Sequence, residues 1–181
     1  MPTLRTERLV LRPLVLADIE WYARFAGDAD VMRFIGRAGP LTREQAEERL
    51  ARYVRCWAEH ELGMFSVRLR DDEQAPVGWG GLQPLDGTAE IEVGYAFEKP
   101  AWGRGFATEL ASVVVQWGFE ERRLDRIVAV ASAENAASRR VMDKLGMRYE
   151  GMRPVYGQDS VYYSLTPEAF ARAASLRRLA L

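Results

Sequence analysis

The stretch Glu92–Glu109, EVGYAFEKPAWGRGFATE, constrains this chain more than any other: a strand-like alternation runs into a glycine-containing loop and then the start of a helix. Gly103 and Gly105 let main chain approach a ligand closely. The N–H groups of Arg104 to Thr108 point outward at a helix N-terminus, where unpaired amides and the helix dipole favour an anion. A phosphate-bearing ligand suits such a loop, although glycine ahead of a helix also serves as a plain connector. Two nucleotide-binding patterns fail. Thr108 stands where a dinucleotide fingerprint needs its third glycine, Gly103 lies six residues past Phe97, and the next strand meets no acid before Glu134. GxxxxGK[ST] does not occur.

The rest of the pattern is mixed α and β. Strands are expected at 8–14, 64–70, 77–85, 89–97, 126–131, 149–156 and 160–165, and helices at 17–25, 42–61, 106–121, 135–145 and from Pro167. Asp18 is placed to cap the first helix and Gly27 to end it. Thr42-x-x-Gln45 has capping-box spacing, with Gly63 as the stop of that second helix. Asp71-Asp72-Glu73-Gln74 and Asp86-Gly87 are turn chemistry, so the strands around them form an antiparallel meander. No repeat or linker divides the chain, and 1–181 is expected to be one domain.

Composition removes other classes. With 25 basic and 26 acidic residues the formal charge is −1, which offers nothing to nucleic acid. No apolar run reaches the ~18 residues a membrane span needs, and MPTLRTERLVLRPL has no signal-peptide core, so a cytoplasmic location is expected. A single cysteine, Cys56, and a single histidine, His60, exclude an intrachain disulfide and a His/Cys metal cluster. No metal is expected. Cys56 and His60, one turn apart, read as helix-surface residues. A serine hydrolase would have to use His60, and GxSxG is absent.

A second constellation follows the strand ending at Ala131: Asn135-Ala-Ala-Ser138-Arg-Arg-Val141-Met142-Asp-Lys144-Leu145-Gly146-Met147. Asn135 can cap its helix, and Ser138 lies on the same side one turn later, so both could hydrogen-bond a polar chain crossing the strand end. The strand–WGRGFATE–helix unit followed by NxxSxxVMxKLGM resembles the GNAT superfamily of acetyl-CoA-dependent N-acetyltransferases. Thr6–Leu14, TERLVLRPL, and Gly157–Thr166 resemble its RimJ/RimL-type ribosomal-protein branch.

The resemblance implies an α/β fold with a mixed, mainly antiparallel sheet, helices on both faces and a splay between the strands ending at Phe97 and Ala131. It implies that Trp102, Gly103, Arg104, Gly105, Phe106, Ala107 and Thr108 hold the coenzyme's pyrophosphate. The strand edge at Tyr95, Ala96 and Phe97 would pair with pantetheine, and Asn135 and Ser138 would face the thioester end. The implied reaction is direct acetyl transfer to a primary amine, either a protein α-amino group or a small molecule. Trp102 replaces the superfamily's frequent Gln or Arg, a change common in this branch. Met142 replaces a tyrosine acid, which leaves Ser138 as the candidate acid and a catalytically silent acyl-CoA-binding module as the alternative.

An amine attacks a thioester only as the free base, so a carboxylate is wanted nearby. Period two places Glu90, Glu92, Gly94 and Ala96 on one face of their strand, with small residues leaving room for substrate. The family's EIGY pattern aligns with Glu92-Val93-Gly94-Tyr95 and selects Glu92 as base. Phe34, Trp79 and Tyr156 read as core first and as acceptor-pocket lining second. Arg104, Arg139 and Arg140 read as solvated charges that could also meet coenzyme phosphates. Acceptor identity and oligomeric state, homodimer included, stay open.

Overall fold

A computed structural model describes residues 1–35 and 39–179. The strands are β1 (Leu4–Arg5), β2 (Leu9–Pro13), β3 (Met64–Leu69), β4 (Gly78–Pro84), β5 (Ile91–Phe97), β6 (Ile127–Ala131), β7 (Arg148–Val155) and β8 (Gln158–Leu165). The helices are α1 (Ile19–Ala26), α2 (Ala29–Met32), α3 (Arg43–His60), α4 (Phe106–Glu120), α5 (Ala136–Leu145) and α6 (Pro167–Leu179). Among the described residues the strands form one sheet in the order β1-β2-β3-β4-β5-β6-β8-β7. The pairings are antiparallel except between β5 and β6. That parallel pair is joined through α4, as a parallel connection requires a crossover.

Alternation along the strands feeds two large cores and a smaller cluster of Leu85, Val128, Val155 and Tyr162. On one side Leu110 and Val114 of α4 and Val141 and Leu145 of α5 pack on Phe65, Leu82, Val93, Ala129 and Tyr163. On the other, Tyr22 and Phe25 of α1 and Leu50 and Tyr53 of α3 pack on Met64, Trp79 and Ala96. Full burial of each such side chain contributes roughly 1.5–3 kcal/mol, which is how the short helix α1 is held in place. No described helix is long and apolar enough to cross a membrane.

Local details correct the sequence reading. Asp18 precedes α1 without capping it: its carboxylate accepts from the Val15 N–H at 3.0 Å and pairs with Arg12, which welds β2 to the turn at Leu16–Asp18. The Thr42–Gln45 capping box forms as expected, with both bonds present. Gly63 does not end α3. Glu61 takes the left-handed position at φ 52°, while a Cβ on Gly63 would lie 2.5 Å from the Trp57 ring, so Gly63 is needed for close packing. Cys56 is buried and not on the surface, because α3's inward stripe runs through Tyr53, Cys56 and Trp57. Trp79 is core, packed 5.4 Å from Tyr53. The strand expected from Ala89 starts at Ile91, and the two-residue β1 and four-residue α2 were not anticipated.

Candidate active site

The sheet opens between β5 and β6. Among the described residues their ladder has one register pair, Glu92 with Val128, and beyond it the strands part toward Phe97 and Ala131. At the open mouth lies the loop 102–105, and at the apex lies Glu92. From Glu92 to Phe97 the strand spans about 17 Å at ~3.3 Å per residue. Facing the gap is a parted strand edge whose backbone groups a polar, extended chain could satisfy.

Gly105 is the N-cap of α4 at φ 81°, and no side chain caps the helix. Its first N–H groups therefore face outward without intrahelical partners. A Cβ on Gly103 would meet nothing within 4 Å, so the loop's approach side is open. Trp102 is half-exposed, and its indole N–H donates to the Phe97 carbonyl at 2.6 Å, tying the loop to the end of β5. Arg104 and Arg8 lie over Phe106, at 4.6 and 4.8 Å from the ring centroid. Ala107 and Thr108 are half-buried in the first turn of α4.

A brace from the N-terminal motif, absent from the sequence reading, holds this loop. Thr6 Oγ1 and the Arg8 N–H donate to Glu109 Oε1 at 2.5 and 2.9 Å. Arg8 Nε donates to Glu109 Oε2 at 2.7 Å, and its Nη1 to the Arg104 carbonyl at 2.9 Å. Burial works against ionisation of Glu109, but the Thr6 and Arg8 bonds outweigh it and hold the carboxyl below its usual range. The signal was TERL itself, whose partners lie a hundred residues away.

On the far side of the gap Asn135 caps α5, its Oδ1 accepting from the Ser138 N–H at 3.1 Å. That leaves the Asn135 amide NH2 for another acceptor. Tyr95 donates to the Ser138 carbonyl at 3.5 Å, and burial pushes its hydroxyl up to about 12. Tyr95, Asn135 and Ser138 thus come together, and Met142 is buried in the core behind them. Arg139 is exposed, with Nε 3.5 Å from the Tyr163 hydroxyl, and Arg140 is exposed.

Glu92 is not solvated: it is 5% exposed. Gln83 Nε2 donates to its Oε1 at 2.6 Å, and the Tyr156 hydroxyl donates to the same oxygen. Burial raises the carboxyl above its ordinary range against those two bonds. The room expected beside Gly94 is shallower than its glycine suggests, since a Cβ there would already touch Met64 at 3.5 Å and Trp79 at 3.8 Å. Glu90 lies just outside β5, half-exposed, and accepts from the Tyr162 hydroxyl. Of the three candidate pocket aromatics, Tyr156 alone bonds Glu92; Phe34 is half-buried under Arg33, 5.0 Å away. Among the described residues no cluster of His, Cys, Asp or Glu could hold a metal ion.

The frame is thus a mixed sheet that forks beside an uncapped, glycine-led helix. The model of the acetyltransferase (GNAT) domain family matches residues 8–148, and the chain belongs to that family. It is 32% identical over 169 residues to the uncharacterized N-acetyltransferase YoaA of Bacillus subtilis, covering 92% of each chain. It is 28% identical over 187 residues to the FsC-acetyl coenzyme A-N(2)-transacetylase of Aspergillus fumigatus, covering 94% of this chain and 79% of that one. The crystal structure of a GNAT-family acetyltransferase from Bacillus anthracis superposes with a TM-score of 0.77 at 30% identity, over 92% of this chain and 99% of the other. Membership implies acetyl-CoA as the acyl donor.

Proposed function

We propose that this protein transfers the acetyl group of acetyl-CoA to a primary amine, a protein α-amino group or a small molecule, by direct attack within a ternary complex. The observation that carries the reading is the placement of a buried carboxylate, Glu92, at the apex of the fork. The outward amides of residues 104–108 take the pyrophosphate, the edge Tyr95–Phe97 takes the pantetheine arm, and Asn135 and Ser138 face the thioester end. That order runs the donor from mouth to apex and brings its carbonyl carbon toward Glu92.

In this scheme Glu92 accepts a proton from the ammonium, directly or through water. The amine nitrogen then bonds to the thioester carbon, the C–S bond breaks, and the departing thiolate takes up a proton, leaving an amide and free coenzyme. Burial suits Glu92 to the task, because a carboxylate raised toward working pH is the stronger base. The thiolate, with a reference pKa of about 8.5, leaves without an obligatory acid, and Ser138 is the candidate donor in place of the tyrosine that Met142 displaces. The Aspergillus relative, named for acetyl transfer from coenzyme A to a nitrogen, supports the reaction class.

The test is acetyl-CoA consumption across N-terminal peptides, polyamines and aminoglycosides, with Glu92→Gln as the diagnostic variant. The expected result is turnover that falls roughly 100- to 10,000-fold in Glu92→Gln while acetyl-CoA affinity persists. The deficit shrinks as pH rises and bulk water deprotonates the amine; Glu90→Gln is mild. Tight acetyl-CoA binding with no turnover of any amine would instead indicate a binding module.

A further inference from the structure

The hairpin between β7 and β8 closes with two residues, Tyr156 and Gly157, between the paired Val155 and Gln158. Both have positive φ, 50° and 69°, as a type I′ turn demands. Asn, Asp or Gly is the local choice at the first position, and a bulky aromatic is disfavoured there. A residue that breaks local preference marks a place where something else is gained. Here the gain is visible: the turn carries the Tyr156 hydroxyl to Glu92, sixty-four residues away in sequence. A second turn locks it, since the Tyr156 N–H donates at 2.6 Å to Oδ2 of Asp86, at the β4–β5 corner.

We infer that Tyr156 is a positioning residue for Glu92: its hydroxyl, set by the I′ turn and held by Asp86, keeps the buried carboxylate ionised and in one orientation for proton removal. This inference rests on the base reading above. The groups around Glu92 make it specific. Gln83 of β4 donates to the carboxylate, and it also lies 3.4 Å from the Tyr156 hydroxyl. Asp86 acts on it through space, and Glu92 in turn helps raise the buried Tyr53 hydroxyl of α3. Glu90, two residues before it, is occupied by Tyr162 of β8 and lies 3.9 Å from Arg153 of β7. Among the described residues no cation lies within ion-pair distance of Glu92, so the two neutral donors are what favour its charged form against burial and Asp86.

Removing the Tyr156 hydroxyl therefore raises the Glu92 pKa further. In Tyr156→Phe the acidic limb of the kcat/KM profile is expected to move up by about one pH unit, the plateau rate to be largely kept at high pH, and KM for acetyl-CoA to be unchanged. The carboxyl carbon-13 titration of Glu92 in the coenzyme-free protein should move in the same direction, independent of any turnover. Gln83→Met removes the other donor and should produce a shift of the same sign, which keeps the test open if Tyr156→Phe folds poorly. A carboxyl titration that moves while the rate limb stays fixed makes the hydrogen bond merely structural and overturns the inference. An unmoved limb in Tyr156→Phe alongside an inactive Glu92→Gln overturns it while sparing the base reading. Near-normal turnover in Glu92→Gln removes the base reading and this inference with it.

Discussion

Two glutamates show how environment assigns different work to the same side chain. Glu109, bonded by Thr6 and Arg8, is held below its usual range, whereas Glu92, buried with neutral donors, is pushed above it. For Glu109 the sign follows from linkage: a carboxyl depressed in the folded state adds stability above its unfolded pKa of about 4.3 and loses it as pH falls through the folded value. Glu109→Gln should therefore cost about 1 kcal/mol at pH 7, kept modest because Arg8 is half-exposed, and cost little near pH 3. Urea denaturation at the two pH values reads the difference. Glu92 was legible as a candidate because period two assigns it a face, shared with Glu90, and the resemblance to the family's EIGY pattern selects between the two. Its burial and its bond to Tyr156 were not, since they depend on a turn that only the folded sheet brings near.

At the scale of elements the decisive piece is the start of α4. Gly105 at φ 81° is where the chain turns into the helix without a side-chain cap, leaving the first amides outward. Gly105→Val adds branched carbon in a left-handed backbone, strained by roughly 1–2 kcal/mol, and covers the amides. Acetyl-CoA should raise the melting temperature of the parent protein and not that of the folded variant. An equal shift in both would remove the loop from the coenzyme site. Asn135 poses a sharper question, because it caps α5 outright. Asn135→Ala should cost about 0.5–2 kcal/mol as a lost cap and, if its amide also meets the donor, weaken acetyl-CoA binding severalfold. Affinity untouched by the substitution would make Asn135 a cap and nothing more. The loop and cap were readable because glycine, asparagine and helix starts obey local rules. Gly63 misled because its reason is the Trp57 ring, a tertiary contact.

For the whole molecule the fork between β5 and β6 is the feature that matters. A sheet cannot leave inner strand edges unpaired without something polar to satisfy them. Coenzyme binding should therefore slow amide exchange at residues 94–97 of β5 and in the first turn of α4, while β3 and β4, already paired on both sides, change little. Hydrogen-exchange mass spectrometry with and without coenzyme A checks this, and uniform protection across the sheet would speak against an arm lying in the fork.

By itself the sequence determined the alternation of strands and helices, the glycine loop ahead of α4, the Asn135 cap and the face on which Glu92 stands. Each depends on residues within a few positions of one another, where periodicity, capping and turn chemistry act directly. Tertiary structure alone decided that β5 and β6 part just beyond Glu92, that Thr6 and Arg8 brace Glu109, and that Tyr156 reaches Glu92 from a distant hairpin. The side-chain pairings among these join residues 64 to 103 positions apart. No local preference encodes them; they arise when two cores, packed on opposite faces of one sheet, bring the strand ends and turns into register.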